Sequence, residues 1–426
     1  MSFTKTFIVL VVLMVCASTA FAGGYQINEH GARALAQGGA FAARATDGSA
    51  MFFNPAGLAF QKGFKAYVGT TLIMPSSTFK SATKETKMTD QTFTPINAYV
   101  SYAFDNGLTV GLGVYNPYGL GTEWPLDWDG RQMSVKTDLQ TFYFNPTIAY
   151  KFSDQFSIGV GVSYVTGKVT LKQRVATLGA LAPLTPSATD GTVDLDGTGT
   201  GMNFNVGLMY KPTPALSIGV SYRSETKIDF SGNSKFSNMG ALASFFPGGT
   251  GKTTLPMPSN LIAGIAYDLT KDFTVEADFQ YVGWTAYDQL MLDIQTGPAS
   301  PLGVLQKGKT LVKNWEAGYL IRFGGEYRLE KLALRAGFIY DKTPQPDAVV
   351  EPMLPDANRM EVTVGLGYEI SKSIAVHVGY QIISFSDRDG IISSQTALYP
   401  AIPAVVTKGT YTNSANLIAF NLEFNF

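Results

Sequence analysis

Phe156-Ser157-Ile158-Gly159-Val160-Gly161-Val162-Ser163-Tyr164 is large and apolar at every second position and Gly or Ser between. A period of two is that of a β-strand with one apolar face and one small or polar face. In a soluble sandwich the apolar face turns inward against a second sheet, and nothing then asks the opposite face to be so rich in Gly or the strands to run so long. In a bilayer the assignment inverts: the apolar set faces hydrocarbon and the small or charged set faces a polar lumen.

The same alternation recurs on either side of that stretch. Leu108-Thr109-Val110-Gly111-Leu112-Gly113-Val114 and Leu216-Ser217-Ile218-Gly219-Val220-Ser221-Tyr222 repeat it. Leu332, Leu334, Ala336, Phe338 and Tyr340 alternate with Lys331, Ala333, Arg335, Gly337 and Asp341, a polar face that carries three charges. Tight turns at Phe104-Asp105-Asn106-Gly107-Leu108, Lys151–Gln155, Lys211–Pro214, Asp268–Asp272, Arg328–Lys331 and Glu369–Lys372 separate long connections near 76–91, 117–136, 175–195, 232–255, 293–311, 342–357 and 387–411. Joints of these two kinds in alternation predict about fourteen strands with both chain ends on the short-turn side, an antiparallel up-and-down barrel. Ile418, Phe420, Leu422, Phe424 and Phe426 make a last apolar stripe that ends the chain in an aromatic residue.

Bulk properties agree with a membrane barrel and exclude much else. The 426 residues carry a net charge of −1, only 15% are charged, and 44 are Gly. Near-neutral charge disfavours nucleic acid as a partner. After the first residues no stretch approaches the roughly twenty consecutive apolar residues of a membrane helix. Residues 1–22 read as a signal peptide: Lys5 gives a positive start, Phe7 to Val15 an apolar core, and Ala20-Phe21-Ala22 a cleavage site before Gly23. Cys16 follows Val15 where a lipoprotein signal needs a small residue, so it is expected to leave with the signal. The mature chain then has no thiol, hence no disulfide and no Cys-based metal or catalytic site. Residues 23–60 lack the alternation; Ala32-Arg33-Ala34-Leu35-Ala36-Gln37 reads as short helix broken at Gly38-Gly39. A segment this apolar, upstream of the first strand, is expected to fold into the lumen as a hatch, with the barrel spanning 61–426.

Several short stretches resemble the FadL/TodX (OMPP1) family of outer-membrane fatty acid and hydrocarbon transporters. They are Gly24-Tyr25-Gln26-Ile27-Asn28-Glu29, Asn54-Pro55-Ala56, Tyr118-Gly119-Leu120-Gly121-Thr122-Glu123-Trp124, Tyr222-Arg223-Ser224-Glu225-Thr226-Lys227-Ile228-Asp229-Phe230 and Met353-Leu354-Pro355-Asp356-Ala357-Asn358-Arg359. Their order covers nearly the whole mature chain. The resemblance implies a monomeric fourteen-stranded barrel of the Gram-negative outer membrane, in contact with its lipid and lipopolysaccharide and closed by an N-terminal hatch. It also implies an external apolar groove, an inner pocket for a long-chain fatty acid or other hydrophobic molecule, and a side opening at a kinked third strand.

Residue by residue, the resemblance places Tyr25 in the inner pocket and puts Lys313 in the position of a basic residue that holds a carboxylate. A second such position, near the outer end of the fifth strand, falls on Gln173, with Arg174 the nearest cation, one residue out of register. A carboxylate in an apolar pocket needs a charged or strong hydrogen-bonding partner. Apolar residues on loops, around Leu178 and Leu181 and around Phe245 and Phe246, mark candidate capture surfaces. Pro117 and Gly119 end the third strand, where a missing donor and a flexible residue predict a break in the wall. Asn54-Pro55-Ala56 is expected to lie against that break and to line the passage.

Other classes fare less well. An enzyme would need a nucleophile and a base, yet the chain has only His30 and His377, neither joined to a recognisable motif, so no catalytic residue, metal or cofactor is assigned. A general diffusion porin shares the barrel and the signal but keeps an open, charged bore. An aromatic or aliphatic hydrocarbon channel is the nearer alternative to a fatty acid channel.

Overall fold

Antiparallel strands account for most of the chain in the computed structural model, which describes residues 23–175, 190–245, 248–296, 309–393 and 406–426. The signal segment therefore lies outside the described residues. Fourteen strands form one closed sheet: β1 (Gly63–Ser81), β2 (Ile96–Ala103), β3 (Leu108–Tyr115, resuming at Gly119–Glu123), β4 (Lys136–Lys151), β5 (Phe156–Val175), β6 (Gly191–Thr213) and β7 (Leu216–Arg223, then Thr226–Ser237). The second half runs β8 (Gly249–Met257, then Asn260–Asp268), β9 (Phe273–Val282, then Gln289–Thr296), β10 (Lys309–Val312, then Gly318–Leu329), β11 (Leu332–Asp341), β12 (Arg359–Ser371), β13 (Ile374–Phe385, then Arg388–Ser393) and β14 (Val406–Asn425). Each strand pairs with its sequence neighbours, and β14 returns to β1 along an uninterrupted register from Lys65↔Asn425 to Ser81↔Gly409. Closure leaves no sheet edge in lipid, where each unpaired amide costs several kcal/mol.

The alternation read in the sequence has the expected sense. Along β5, Phe156, Val160, Val162 and Tyr164 are exposed while Ser157, Gly159, Gly161 and Ser163 are buried. Aromatic pairs ring the short-turn end: Tyr102–Phe104, Tyr150–Phe152 and Phe152–Phe156 have ring centroids 4.8, 4.9 and 5.8 Å apart, and Phe64 meets Phe426 across the seam. Such a belt sits where hydrocarbon gives way to headgroups. At the other end the long connections are partly strand: β1 continues to Ser81, β7 to Ser237, and β8 starts at Gly249. Ladder pairing outlasts the apolar alternation there, because outside the bilayer the same hydrogen bonds form without a lipid-facing side.

Residues 24–60 fill the bore. Helix α1 (Ala32–Leu35) ends in a reversal at Gly38 and Gly39, both at φ 65°, and α2 (Ala50–Phe53) runs into a 3-10 turn at Pro55–Phe60. The small residues on the inner face of the wall now find their reason. A methyl placed on Gly159 would come within 2.3 Å of Pro55, on Gly207 within 2.0 Å of Asn54, on Gly219 within 2.0 Å of Ala42, and on Gly337 within 2.2 Å of Gly38. Gly324, Gly365 and Gly379 meet Gln37, Ala36 and Leu35 as closely, so β5 to β8 and β10 to β13 present backbone to the hatch.

Charge fixes it on one side. Glu326 on β10, 1% exposed, accepts from Arg33 and Arg44 of the hatch at 3.2 and 2.9 Å and from Arg328 and Arg335 of the wall at 2.9 and 2.7 Å. Asp278 on β9 accepts the backbone N–H groups of Phe41 and Ala42, both at 2.9 Å.

Candidate functional site

Four neighbouring strands, β7 to β10, break at one level, and their breaks build the site. β7 is interrupted at Ser224-Glu225, β8 at Pro258-Ser259, β9 by 283–288 and β10 by 313–317. The breaks are tied together rather than left open: Gly283 N–H donates to the Ser259 carbonyl at 2.9 Å, and the Lys313 and Asn314 N–H groups donate to the Asp288 carbonyl at 2.8 Å. They turn Trp284, Tyr287 and Trp315 into the bore.

Tyr25, 4% exposed, sits among these rings. Its centroid lies 4.6 Å from Trp284, 5.6 Å from Tyr287, 5.9 Å from Trp315 and 6.2 Å from Tyr118, mostly edge to face, the geometry that ring quadrupoles favour. Its hydroxyl donates to the Pro256 carbonyl at 2.6 Å. Gly24 before it, at φ 78°, has no room for a side chain, since a methyl would come 2.6 Å from Trp284 and 2.7 Å from Trp315.

Above this cage, toward the long loops, lies an apolar cavity of about 110 Å³ lined by Leu120, Leu139, Val169, Leu171, Phe230 and Leu255 among others. Tyr25 and Lys313 both line it. Lys313 is not free, however: it is 5% exposed and its ammonium is paired with the carboxylate of Glu351. The indole N–H of Trp315, which also lines the cavity, is buried and has no hydrogen-bond partner among the described residues.

A second cavity, of about 510 Å³, opens where β3 is kinked. From Tyr115↔Tyr143 to Gly119↔Gln140 the wall advances four residues on β3 but three on β4, a bulge centred on Asn116-Pro117-Tyr118. Past Tyr115 the ladder between β3 and β2 stops, and the chain after Ser81 pairs with β1 instead. The Asn116 side chain spans the break, accepting from Ile96 N–H at 2.8 Å and donating to the Thr141 carbonyl. The freed backbone of β3 is taken by the hatch: Ile27 N–H donates to the Pro117 carbonyl at 2.9 Å and Gly119 N–H to the Tyr25 carbonyl at 3.0 Å. Phe142, 37% exposed on the outer face, lines this cavity too, so it reaches the lipid side of the wall. Leu120, Leu139 and Leu354 line both cavities, and the strand around Tyr25 lies between them.

The remaining sequence-derived candidates are placed differently. Arg174 lies near the end of β5 with a 3.4 Å hydrogen bond to Thr192, does not line the apolar cavity, and is not brought together with Lys313. Gln173 beside it donates to the Met133 carbonyl at 2.6 Å. The expectation for Asn54-Pro55-Ala56 needs correcting. Asn54 donates to the Ala42 and Leu208 carbonyls at 2.8 and 3.0 Å, and Ser157 donates to the Ala56 carbonyl at 2.9 Å. The motif therefore bolts the hatch to the unbroken wall at β5 and β6, not to the break at β3. Phe245 ends a 3-10 turn at Gly240–Phe245; Leu178, Leu181 and Phe246 lie outside the described residues.

Sequence reasoning did not find Trp284, Tyr287, Trp315 and Glu351. A signal existed for the first three, because Gly283-Trp284-Thr285-Ala286 and Asn314-Trp315 interrupt otherwise regular alternation; Glu351 comes from a connection with no pattern to mark it.

Comparison with known proteins places this geometry. The sequence profile of the family described as "Outer membrane protein transport protein (OMPP1/FadL/TodX)" matches residues 13–426. A long-chain fatty acid transport protein of Escherichia coli O6:H1 is 25% identical, over 91% of this chain and 94% of its own. Outer membrane protein P1 of Haemophilus influenzae is 24% identical over 78% and 74%. Among solved structures, a Pseudomonas aeruginosa FadL homologue superposes with a TM-score of 0.81 at 17% identity, covering 96% of this chain and all of its own. The Pseudomonas putida toluene transporter TodX gives 0.69 at 18%, covering 93% and 98%.

Proposed function

From the premise that this chain belongs to the OMPP1/FadL/TodX family of outer membrane transport proteins, we propose that it admits hydrophobic molecules by passive diffusion, long-chain fatty acids first among them. The reading rests on one observation: the strand carrying Tyr25 separates an apolar cavity open to the long loops from a second cavity that reaches the lipid side of the wall. A ligand taken up by the outer loops enters the first cavity and competes with Tyr25 for the aromatic cage. Displacing Tyr25 also releases Ile27 and Gly119, because the same short segment makes both sets of contacts. The two cavities then join, and the ligand leaves sideways through the bulge at Asn116-Pro117-Tyr118. No energy source enters; ligand binding shifts the population of hatch positions, and the gradient sets the direction. The barrel acts as a monomer in this scheme.

A carboxylate ligand is favoured by the orphan indole N–H of Trp315 and by Lys313 in the same cavity. A second reading, an uncharged aromatic or aliphatic hydrocarbon, is favoured by Glu351, which already neutralises Lys313. Uptake of labelled oleate by cells lacking their own fatty acid channel tests the route. Deleting Gly23 to Gln26, or replacing Tyr25 by Ala, should change both oleate affinity and uptake; if neither moves, the N-terminal segment is not the gate and the route is wrong.

A further inference from the structure

Beneath the aromatic cage, on the wall of the second cavity, lies a buried cluster rich in carboxyl groups. Asp341, Asp356 and Glu361 are 2%, 1% and 3% exposed, and Glu29 stands within electrostatic reach of them. Among the described residues Arg359 and Arg322 face these four carboxyl groups, and Arg388 donates to the Asp356 carbonyl at 3.1 Å and to the Thr343 hydroxyl that bonds its carboxylate. Arg359 bonds Asp356 at 2.7 Å and lies 3.7 Å from Asp341, whose other oxygen is buried with no partner among the described residues. A buried carboxylate oxygen left without donor or counter-charge is costly, so the cluster lacks a cation with N–H groups to give.

The chain itself delivers one to this place. Gly23 is buried against the cluster: a methyl on its Cα would come 2.5 Å from Asp356 Oδ2 and 3.2 Å from an Arg359 nitrogen, and the next N–H, that of Gly24, donates to Asp356 at 2.8 Å. Gly23 is also the residue the sequence places directly after the Ala20-Phe21-Ala22 cleavage site. We propose that cleavage there makes the Gly23 ammonium the missing cation of this site, so that the hatch is seated by a charge that exists only in the processed chain. Hydrolysis by a leader peptidase adds water across the Ala22–Gly23 bond. The hydroxyl stays on the Ala22 carbonyl, and the Gly23 nitrogen leaves as an amine that takes up a proton. The neutral amide of the unprocessed chain brings no charge to the carboxylates. Binding of the first residues to the lumen thereby becomes a check that the leader has been removed.

The cluster also lines the second cavity, but the proposal concerns how the hatch is seated, and its test uses no ligand. Mature chain beginning at Gly23 is folded into detergent beside the same chain carrying an acetyl group on the Gly23 nitrogen, folding being confirmed by migration on unheated gels. Hydrogen exchange at the amides of Gly24 to Asn28 is expected to be at least about tenfold faster in the acetylated barrel. Adding Asp341→Asn to the acetylated chain should restore most of the protection, a rescue that a purely steric disturbance would not give. The free amine of the folded protein should also react with a neutral-pH acylating reagent at least about tenfold more slowly than that of the denatured chain. Equal exchange in the two barrels, an amine that reacts as fast as in the denatured chain, or a mature terminus other than Gly23 would each overturn the proposal.

Discussion

On the proposed route, Lys313 and Glu351 set which ligands the lumen can hold. A hydrogen bond to a charged group is worth about 1.5–3 kcal/mol, so a carboxylate ligand that gains Lys313 must first take it from Glu351. Glu351→Gln should therefore tighten oleate binding and Lys313→Met should weaken it by roughly tenfold to a hundredfold, read as quenching of the tryptophans around Tyr25. Toluene binding should change little in either variant. If oleate is as indifferent as toluene, the carboxylate is not read here and the hydrocarbon reading gains. Gly337 offers a test on the opposite side of the molecule, because a side chain there meets the backbone of Gln37 and Gly38 rather than a movable side chain. Gly337→Val should cost about 1–3 kcal/mol through overpacking and expose Arg33 and Arg44 to trypsin while the barrel wall stays intact.

At the scale of elements, the bulge in β3 and the segment Tyr25–Ile27 form one unit, a strand break sealed from inside by the hatch, and the proposed route requires that seal to detach. Gln26 and Tyr118 face each other as a bridge pair, and the mature chain is expected to contain no other thiol. With both replaced by Cys, oxidation should stop oleate uptake and a reductant should restore it, measured in the same cells; uptake unaffected by the cross-link would mean that the segment need not move. The break was legible because Pro117 lacks a donor and Gly119 follows it, two local facts in an alternating strand. The aromatic cage was not, since it is assembled from interruptions in separate strands whose alignment depends on the register of the closed sheet. Gln173 and Arg174 show the limit within one strand. Neighbouring residues there point to opposite faces, and the sequence offered a charge at one position and the family's register at the other.

Over the whole molecule, the period-two pattern of the strands dictated the barrel and the outward sense of the apolar face, because it leaves only one arrangement that satisfies lipid, and the succession of short and long joints dictated the strand count. The glycine-rich inner face was read as the lining of a polar lumen; its fuller meaning, a mould for the hatch, depends on contacts between residues hundreds of positions apart. Glu326 is the charged counterpart of that mould. Glu326→Gln would leave Arg33, Arg44, Arg328 and Arg335 without their common acceptor, and breaking a buried ion pair typically costs about 3–5 kcal/mol. In planar bilayers this variant should pass ions where the unaltered protein passes few. Large, steady currents through the unaltered protein would instead favour a diffusion porin.

The seam between β1 and β14 carries a further consequence, for the order of assembly. The cylinder shuts only when β14 meets β1, so the sheet is complete only once every strand between them has been made. The hatch touches strands from across the sheet and cannot settle before they surround it. The hatch, made before every strand that encloses it, is thus the last element to find its place, and until then its apolar residues stand uncovered.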